Sequence, residues 1–139
     1  MSFYNTFQTD ENLENGQGVD LDYGQNGIIT IHRAGGSNKS FARVLNAKMK
    51  PYSRQLQTDT MEDEIASKLL IETYAETVII NWKNVTDQEG NKLAFNRSNC
   101  IKILTDLPEL FKDIQNQANS ISNFRKEQEE IEAKNLQKS

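Results

Sequence analysis

The sequence predicts an α+β fold that is mainly α, with a small N-terminal β-hairpin followed by a compact bundle of about four helices. The length of 139 residues suits one domain. The clearest strand pattern lies near the N-terminus, where short β-branched stretches flank a turn. Residues 60–124 carry most of the large apolar side chains, spaced as in helices that bury one face. The chain after Phe124 is charged and has high helix propensity.

These patterns divide the chain into a globular domain and a tail. We predict a single globular domain over residues 1–124, and a charged tail over residues 125–139 that is either helical or disordered. Within the domain we expect an extended arm (1–18), a hairpin (19–33) and a helical core (39–124).

Composition and charge argue against several classes of protein. The net charge is −4, from 16 basic and 20 acidic residues, which disfavours nucleic acid as a ligand because phosphate binding needs clustered Lys and Arg. One cysteine, Cys100, and one histidine, His32, cannot build an intrachain disulfide or a Cys/His zinc site. Apolar runs fall short of a membrane span, and the N-terminus lacks a signal-peptide pattern. We therefore expect a cytosolic protein without cofactor, metal or membrane partner.

The arm is predicted to be extended because glycines and acidic residues crowd it and leave little room for a regular element. Three aromatic side chains near its start could anchor it on another surface. That surface is either the protein's own core or a neighbouring subunit. The candidate partner contacts in the arm are Phe3, Tyr4 and Phe7.

The hairpin is predicted from two short patterns joined by the strong turn dipeptide Asn26-Gly27. Residues 27–33, GIITIHR, are β-branched, and residues 19–23, VDLDY, alternate apolar and acidic side chains. A hairpin of two strands is marginal in water, so it must lie on a helix or on another chain.

The first core helix is predicted over residues 39–50. Ser37 or Asn38 serves as its N-cap, and Pro51 ends it. Five basic side chains on this helix and just after it are interleaved with apolar residues, and we interpret them as a solvated helix face rather than a phosphate site: Lys39, Arg43, Lys48, Lys50 and Arg54.

The central helix is predicted over residues 61–83, with Thr60 or Asp59 as N-cap. Apolar side chains step by four along one broad face, which must be buried. The final part, residues 77–82, is β-branched enough that a strand is the alternative. The core positions predicted on this face are Leu70, Tyr74, Val78 and Trp82.

Residues 84–91 are predicted to form a turn with Gly90 at positive φ. A short extended piece, residues 92–95, then returns Leu93 and Phe95 to the core. A further helix over residues 99–104 begins at a cap formed by Asn96 or Ser98. Its Cys100 is interpreted as a buried structural cysteine rather than a nucleophile, because no histidine lies near it in the sequence.

The last helix is predicted from the tetrapeptide DLPE, with Asp106 as N-cap, proline in the first turn and glutamate completing a capping box. Its core positions are Leu110, Phe111 and Ile114. Phe124 continues the same stripe, and only two large apolar side chains follow it. These complete the set of candidate partner contacts: Phe124, Ile131 and Leu136.

The residues also resemble a known family. The stretch YAETVIINWKNVTDQEGNKLAFNRSNCIKILTDLPELFKDIQNQANSISNFRKEQEEIEAKN is similar to tail assembly chaperones of long-tailed bacteriophages. The matching features are a helix that ends at a tryptophan, a VTDxxGN turn, a DLPELF segment, and NFR followed by a charged end. Earlier segments, FQTDENLENG, HRAGGSNKSF and LNAKMKPYSRQL, resemble the N-terminal halves of such proteins.

The resemblance implies a non-enzymatic role in the host cytoplasm during phage assembly. Members of that family bind the tape measure protein and promote assembly of the tail tube, so these two proteins are the expected partners. Self-association is a further expectation. The alternative is a structural virion component, such as a tail, connector or capsid-associated protein held by subunit contacts. An enzyme is disfavoured because the sequence offers no acid–base pair or nucleotide loop at useful spacing.

Overall fold

The computed structural model describes residues 2–126. The elements are α1 (Phe3–Phe7), α2 (Glu11–Asn15), β1 (Val19–Asp22), β2 (Ile28–Ile31), α3 (Lys39–Met49), α4 (Ser53–Gln57), α5 (Asp63–Thr77), β3 (Ile79–Lys83), α6 (Arg97–Asp106) and α7 (Pro108–Ala118). The predicted α+β class, mainly α, is therefore confirmed. Short 3-10 turns occupy Gly24–Asn26, Lys50–Tyr52 and Ile121–Asn123.

The three strands form one antiparallel sheet in the order β1-β2-β3. The predicted hairpin is present, with Val19 opposite Ile31 and Asp22 opposite Ile28. On its other side β2 pairs with β3, which places Trp82 opposite Ile29. The hairpin is thus stabilised by a third strand as well as by the helices, because two strands alone do not bury enough surface.

The prediction of a continuous helix to residue 83 is wrong, and the strand alternative is right for its last part. Helix α5 ends at Thr77, and β3 begins at Ile79. The N–H of His32 donates to the Val78 carbonyl at 2.7 Å, where the chain leaves the helix. The β-branched residues fit a pleated strand, and the backbone groups of β2 supply the hydrogen bonds that the helix would otherwise have provided.

The core lies between this sheet and helices α5, α6 and α7. At its centre the Tyr74 ring meets the rings of Phe41 and Phe111 edge to face, with centroids 5.5 Å and 5.2 Å away. Two of the predicted core positions, Leu70 and Leu110, are only half-buried and pack against the cluster. The other predicted core positions are buried: Tyr74, Val78, Trp82, Phe111 and Ile114.

Two predicted helix caps differ from the observed ones. Asp106 is the last residue of α6, where it accepts a hydrogen bond from Lys102 Nζ at 2.9 Å, and α7 starts at Pro108 without a side-chain cap. Thr60 lies before α5, which begins at Asp63. The Thr60 hydroxyl instead lies 2.8 Å from the Thr58 hydroxyl, just after α4.

Two other caps agree at least in position. The Asn96 side chain accepts from the Asn99 N–H at 2.8 Å and caps α6 as predicted. Asn38 stands at the N-cap of α3 but makes no capping bond. Its buried amide instead donates to the carbonyls of Arg33 and Thr77, at 2.8 Å and 2.9 Å. It therefore ties the loop after β2 to the end of α5.

The predicted extended arm is also wrong, because residues 2–18 contain the short helices α1 and α2. Asp10 caps α2 by accepting from the Asn12 N–H at 2.9 Å. Glu14 is buried, and its carboxylate binds Arg33 Nη1 at 2.6 Å and the Ser37 hydroxyl at 3.0 Å. Such long-range hydrogen bonds order a segment whose local composition favours turns.

Phe124 does not belong to a partner surface, contrary to the prediction, because its side chain is fully buried in the core. The backbone around it is held by the N-terminal segment. Its carbonyl accepts from the Asp10 N–H at 2.8 Å, and Arg125 forms a β-bridge with Thr9. Ile131, Leu136 and most of the predicted tail lie outside the described residues.

Candidate partner-binding surfaces

The first candidate surface is the aromatic patch, formed by Phe3, Tyr4 and Phe7 on helix α1. These side chains are 82%, 76% and 59% exposed, and α1 buries none of its residues. The rings of Phe3 and Phe7 are 6.2 Å apart. The prediction that these side chains pack on the protein's own core is therefore wrong. The alternative, contact with a partner, stays a prediction.

The aromatic patch is attached to the end of the described chain. The N–H of Lys126, the last described residue, donates to the Gln8 carbonyl at 3.2 Å, one residue after α1. The bridge between Thr9 and Arg125 lies next to it. A five-residue helix is not stable by itself in water, so this pairing is what holds α1 at the edge of the domain.

The second candidate surface is the Leu107 groove, made of two adjoining clefts of about 370 Å³ and 320 Å³ that share Thr86, Ile103 and Leu107. Leu107, between α6 and α7, is 48% exposed. The loop after β3 forms the opposite wall. The remaining apolar lining comes from distant parts of the chain: Ile29, Val85, Leu93 and Leu110.

The walls of the Leu107 groove are held by local hydrogen bonds. The Asp87 carboxylate accepts from the N–H groups of Glu89 and Asn91, at 3.0 Å and 2.8 Å. Gly90 adopts φ 84°, as predicted, and closes this turn. On the other wall the Leu107 N–H donates to the Ile103 carbonyl at 3.0 Å.

The rim of the Leu107 groove is acidic. Its lining includes three carboxylates, on Asp87, Glu89 and Asp106, and one base, Lys102, which already pairs with Asp106. The sequence did not reveal this groove, because its residues come from separate segments. The DLPE pattern was interpreted only as a helix start, so it did not indicate that Leu107 is exposed.

A third cleft, of about 470 Å³, lies beside Trp82 and is lined also by Lys83, Lys92 and Phe95. Phe95 was predicted to return to the core, but it is exposed at the edge of the domain. Its ring covers the buried Trp82 ring edge to face, at 5.2 Å. Leu93 packs against the core as predicted.

The basic side chains on and after α3 do not form a compact phosphate site. Lys39, Arg43, Lys50 and Arg54 are exposed. Lys48 is half-buried and binds Glu76 Oε1 at 3.0 Å and Glu72 Oε2 at 3.4 Å. The hydrogen bond to Glu76, followed by that to Glu72, raises the pKa of Lys48.

Cys100 and His32, the two side chains considered as catalytic candidates, have different surroundings. Cys100 is fully buried, and this burial raises the pKa of its thiol to about 12. His32 lies in the loop after β2 with Nε2 2.8 Å from the Gly16 carbonyl. Across residues 2–126, no group of three or more His, Cys, Asp or Glu side chains is arranged to hold a metal ion.

We expect Cys100 to react very slowly with a thiol reagent in the native protein, because the thiol is both inaccessible and protonated. Labelling with a colourless disulfide reagent, followed by absorbance, checks this at neutral pH and again in denaturant. Rapid labelling of the folded protein would contradict the assignment of Cys100 to the core.

No helix within residues 2–126 is long and apolar enough to cross a membrane. The fold and surfaces define a small α+β domain with two candidate binding surfaces, an aromatic patch and a groove. The chain belongs to the YdaY prophage protein family, whose model matches residues 36–135. The protein is thus phage-derived, and the match spans the elements from α3 to α7. No curated protein and no solved structure matches the chain.

Proposed function

We propose that the protein is a non-enzymatic tail assembly chaperone that binds the tape measure protein and promotes assembly of the tail tube in the host cytoplasm. The observation that carries the proposal is the aromatic patch on α1. Membership of a prophage protein family and the resemblance of the sequence to tail assembly chaperones support it.

The aromatic patch has the chemistry of a binding surface. Contiguous exposed apolar side chains mark interaction sites in soluble proteins, and aromatic rings contribute the largest buried areas at such sites. Burying one large apolar side chain contributes about 1.5–3 kcal/mol, so three rings contribute about 5–9 kcal/mol before the cost of association. Binding of this strength is weak and reversible, which suits a chaperone that must release its client to the tail tube.

The absence of catalytic activity is part of the proposal. Burial and a raised pKa make Cys100 a poor nucleophile. The ring of His32 is 2.8 Å from a backbone carbonyl, and Cys100 lies in a different element, α6. These two side chains therefore offer no nucleophile–base pair of the kind that covalent catalysis uses.

The proposal predicts that replacing Phe3, Tyr4 and Phe7 together by serine strongly weakens binding of the tape measure protein. Co-expression with the tape measure protein of the same prophage, followed by affinity purification, measures the amount retained. We expect a loss of about tenfold or more, as for a central apolar anchor, while thermal stability changes little because the rings are exposed.

Leu56→Ser provides the matched control, because Leu56 is also an exposed apolar residue, at 46%, but lies on α4. Equal retention of the tape measure protein by the wild type and the triple variant would overturn the role of the aromatic patch. Mass spectrometry of purified virions tests the function itself. Many copies of the protein per particle would contradict a chaperone and favour a structural virion component.

A further inference from the structure

We propose that the Leu107 groove binds an amphipathic helix of a partner protein, with apolar side chains along one face and Lys or Arg along its flanks. This surface is separate from the aromatic patch, and the inference does not depend on the identity of the client. Three features of the groove specify the occupant: its apolar floor, the state of its backbone groups and its charge.

The floor of the groove is apolar and only partly covered. Ile29 and Val85 are buried at its base, whereas Ile103 and Leu110 are half-buried along its sides. Leu107 is nearly half exposed at the point where both clefts meet. An apolar cleft of several hundred cubic ångströms accommodates a few large side chains, which is what a partner helix inserts into such a groove.

The backbone around the groove favours a helix over an added strand. The loop wall already bonds to itself, since the Leu93 N–H donates to the Val85 carbonyl at 2.9 Å and the Asp87 N–H to the Asn91 carbonyl at 2.8 Å. Much of the opposite wall belongs to α6 and α7. Strand addition needs a row of unpaired backbone groups, whereas a helix satisfies its own hydrogen bonds.

The charge of the rim specifies basic flanks on that helix. The rim carries three acidic side chains and one basic side chain: Asp87, Glu89, Asp106 and Lys102. The pair between Lys102 and Asp106 at 2.9 Å leaves Asp87 and Glu89 as excess negative charge. Opposite charges around an apolar centre steer association and select the partner. The same rim repels nucleic acid, whose phosphates are negative.

A second copy of the domain does not offer the matching helix within its described residues. The basic helix is α3, but its Phe41 ring is turned inward against Tyr74 at 5.5 Å. Phe41 is therefore used by its own core and cannot also enter the groove of a neighbour. Among the described residues, α3 of a second copy therefore matches the groove poorly, and the proposed occupant is a different protein.

The test uses a designed peptide of about 20 residues, a helix of about 30 Å, with Leu at i, i+3, i+4 and i+7 and Lys on the flanks. Fluorescence anisotropy measures its binding to the full-length protein. We expect Leu107→Asp to weaken binding by about tenfold or more, as expected for a central anchor residue. Leu56→Asp, a change of the same kind at a similarly exposed leucine outside the groove, should leave it unchanged.

Glu89→Lys tests the charge of the rim, and we expect it to weaken the Lys peptide while improving binding of a peptide with Glu on its flanks. Amide NMR spectra of the wild type should shift at residues 85–89 and 102–110 when the Lys peptide is added. The spectrum of Leu107→Asp without peptide shows whether this variant keeps the fold.

Three results would overturn the inference: equal binding of the Lys and Glu peptides, shifts confined to other surfaces, or equal binding by Leu107→Asp and wild type. If sedimentation shows a wild-type dimer that Leu107→Asp dissociates, the groove serves self-association, and this result would also overturn the inference. None of these measurements uses a tail protein. A negative result would therefore count against the groove as a binding site without bearing on the chaperone proposal.

Discussion

Replacing Trp82 by alanine is expected to lower the free energy of unfolding by about 3–5 kcal/mol, the range for deleting a buried aromatic ring. The ring lies on the inner face of β3, opposite Ile29. Its indole N–H donates to the Leu93 carbonyl at 2.9 Å, and the Phe95 ring packs edge-on against it at 5.2 Å. The substitution leaves a cavity and an acceptor without its donor.

Urea denaturation of wild type and Trp82→Ala measures this loss. Phe95→Ala is the matched control, because it removes only the exposed ring of the pair, and we expect a loss of about 1 kcal/mol. Fluorescence of the wild type supplies a second measurement, since Trp82 is the single tryptophan. Emission at the wavelength of free indole in water would contradict burial of the ring.

Replacing Glu14 by glutamine is expected to lower the free energy of unfolding by about 3 kcal/mol, the lower end of the range for breaking a buried ion pair. Glu14 is buried, whereas Arg33 keeps 23% of its side chain exposed, which moderates the cost of leaving it unpaired. The carboxylate also accepts from the Ser37 hydroxyl, so the variant loosens α2 from the loop that follows β2.

The same pair makes stability depend on pH. Burial by itself raises the pKa of Glu14, but the hydrogen bonds from Arg33 and Ser37 outweigh it and hold that pKa below its ordinary value of 4.5. The stabilisation is therefore fully present above pH 4.5 and is lost as the pH falls through the lower pKa of the folded state. Unfolding curves between neutral and acidic pH should show this loss in wild type and much less of it in Glu14→Gln.

Glu11→Gln is the control for both measurements, because Glu11 lies on the same helix but is exposed. It should keep the stability of the wild type within about 0.5 kcal/mol. A Glu14→Gln variant as stable as Glu11→Gln at every pH would show that the contact with Arg33 contributes nothing to the fold.

Much of the fold could be predicted from local patterns. The alternation in VDLDY and the Asn26-Gly27 turn located the hairpin, and apolar spacing located α3, the first part of α5 and α7. For burial in the core, the size of a side chain mattered more than the secondary structure predicted for it. Val78 and Trp82 are buried even though they do not lie on the predicted helix. Large apolar side chains near a sheet are buried in either conformation.

The two candidate surfaces differ in how far the sequence could reveal them. The three rings of the aromatic patch were named as candidate contacts because they lie within five residues of the sequence, although the short helix that carries them was not predicted. The Leu107 groove was missed because Val85 and Ile29 lie in segments distant from Ile103 and Leu107. These side chains come together only because the chain reverses after β3 and because α6 meets α7 at Leu107. Local sequence patterns do not indicate which distant residues will be neighbours.

By itself, the sequence determined the α+β class, the hairpin, the apolar face of α5 and the phage character that the family match confirms. The tertiary structure decided that residues 79–83 form a strand, that Phe124 is core and that residues 2–18 are ordered. Each of these depends on hydrogen bonds or contacts between distant residues: β2 with β3, Asp10 with Phe124, and Glu14 with Arg33. Local propensities differ by less than about 1 kcal/mol per residue, so such long-range contacts override them wherever two conformations are close in energy.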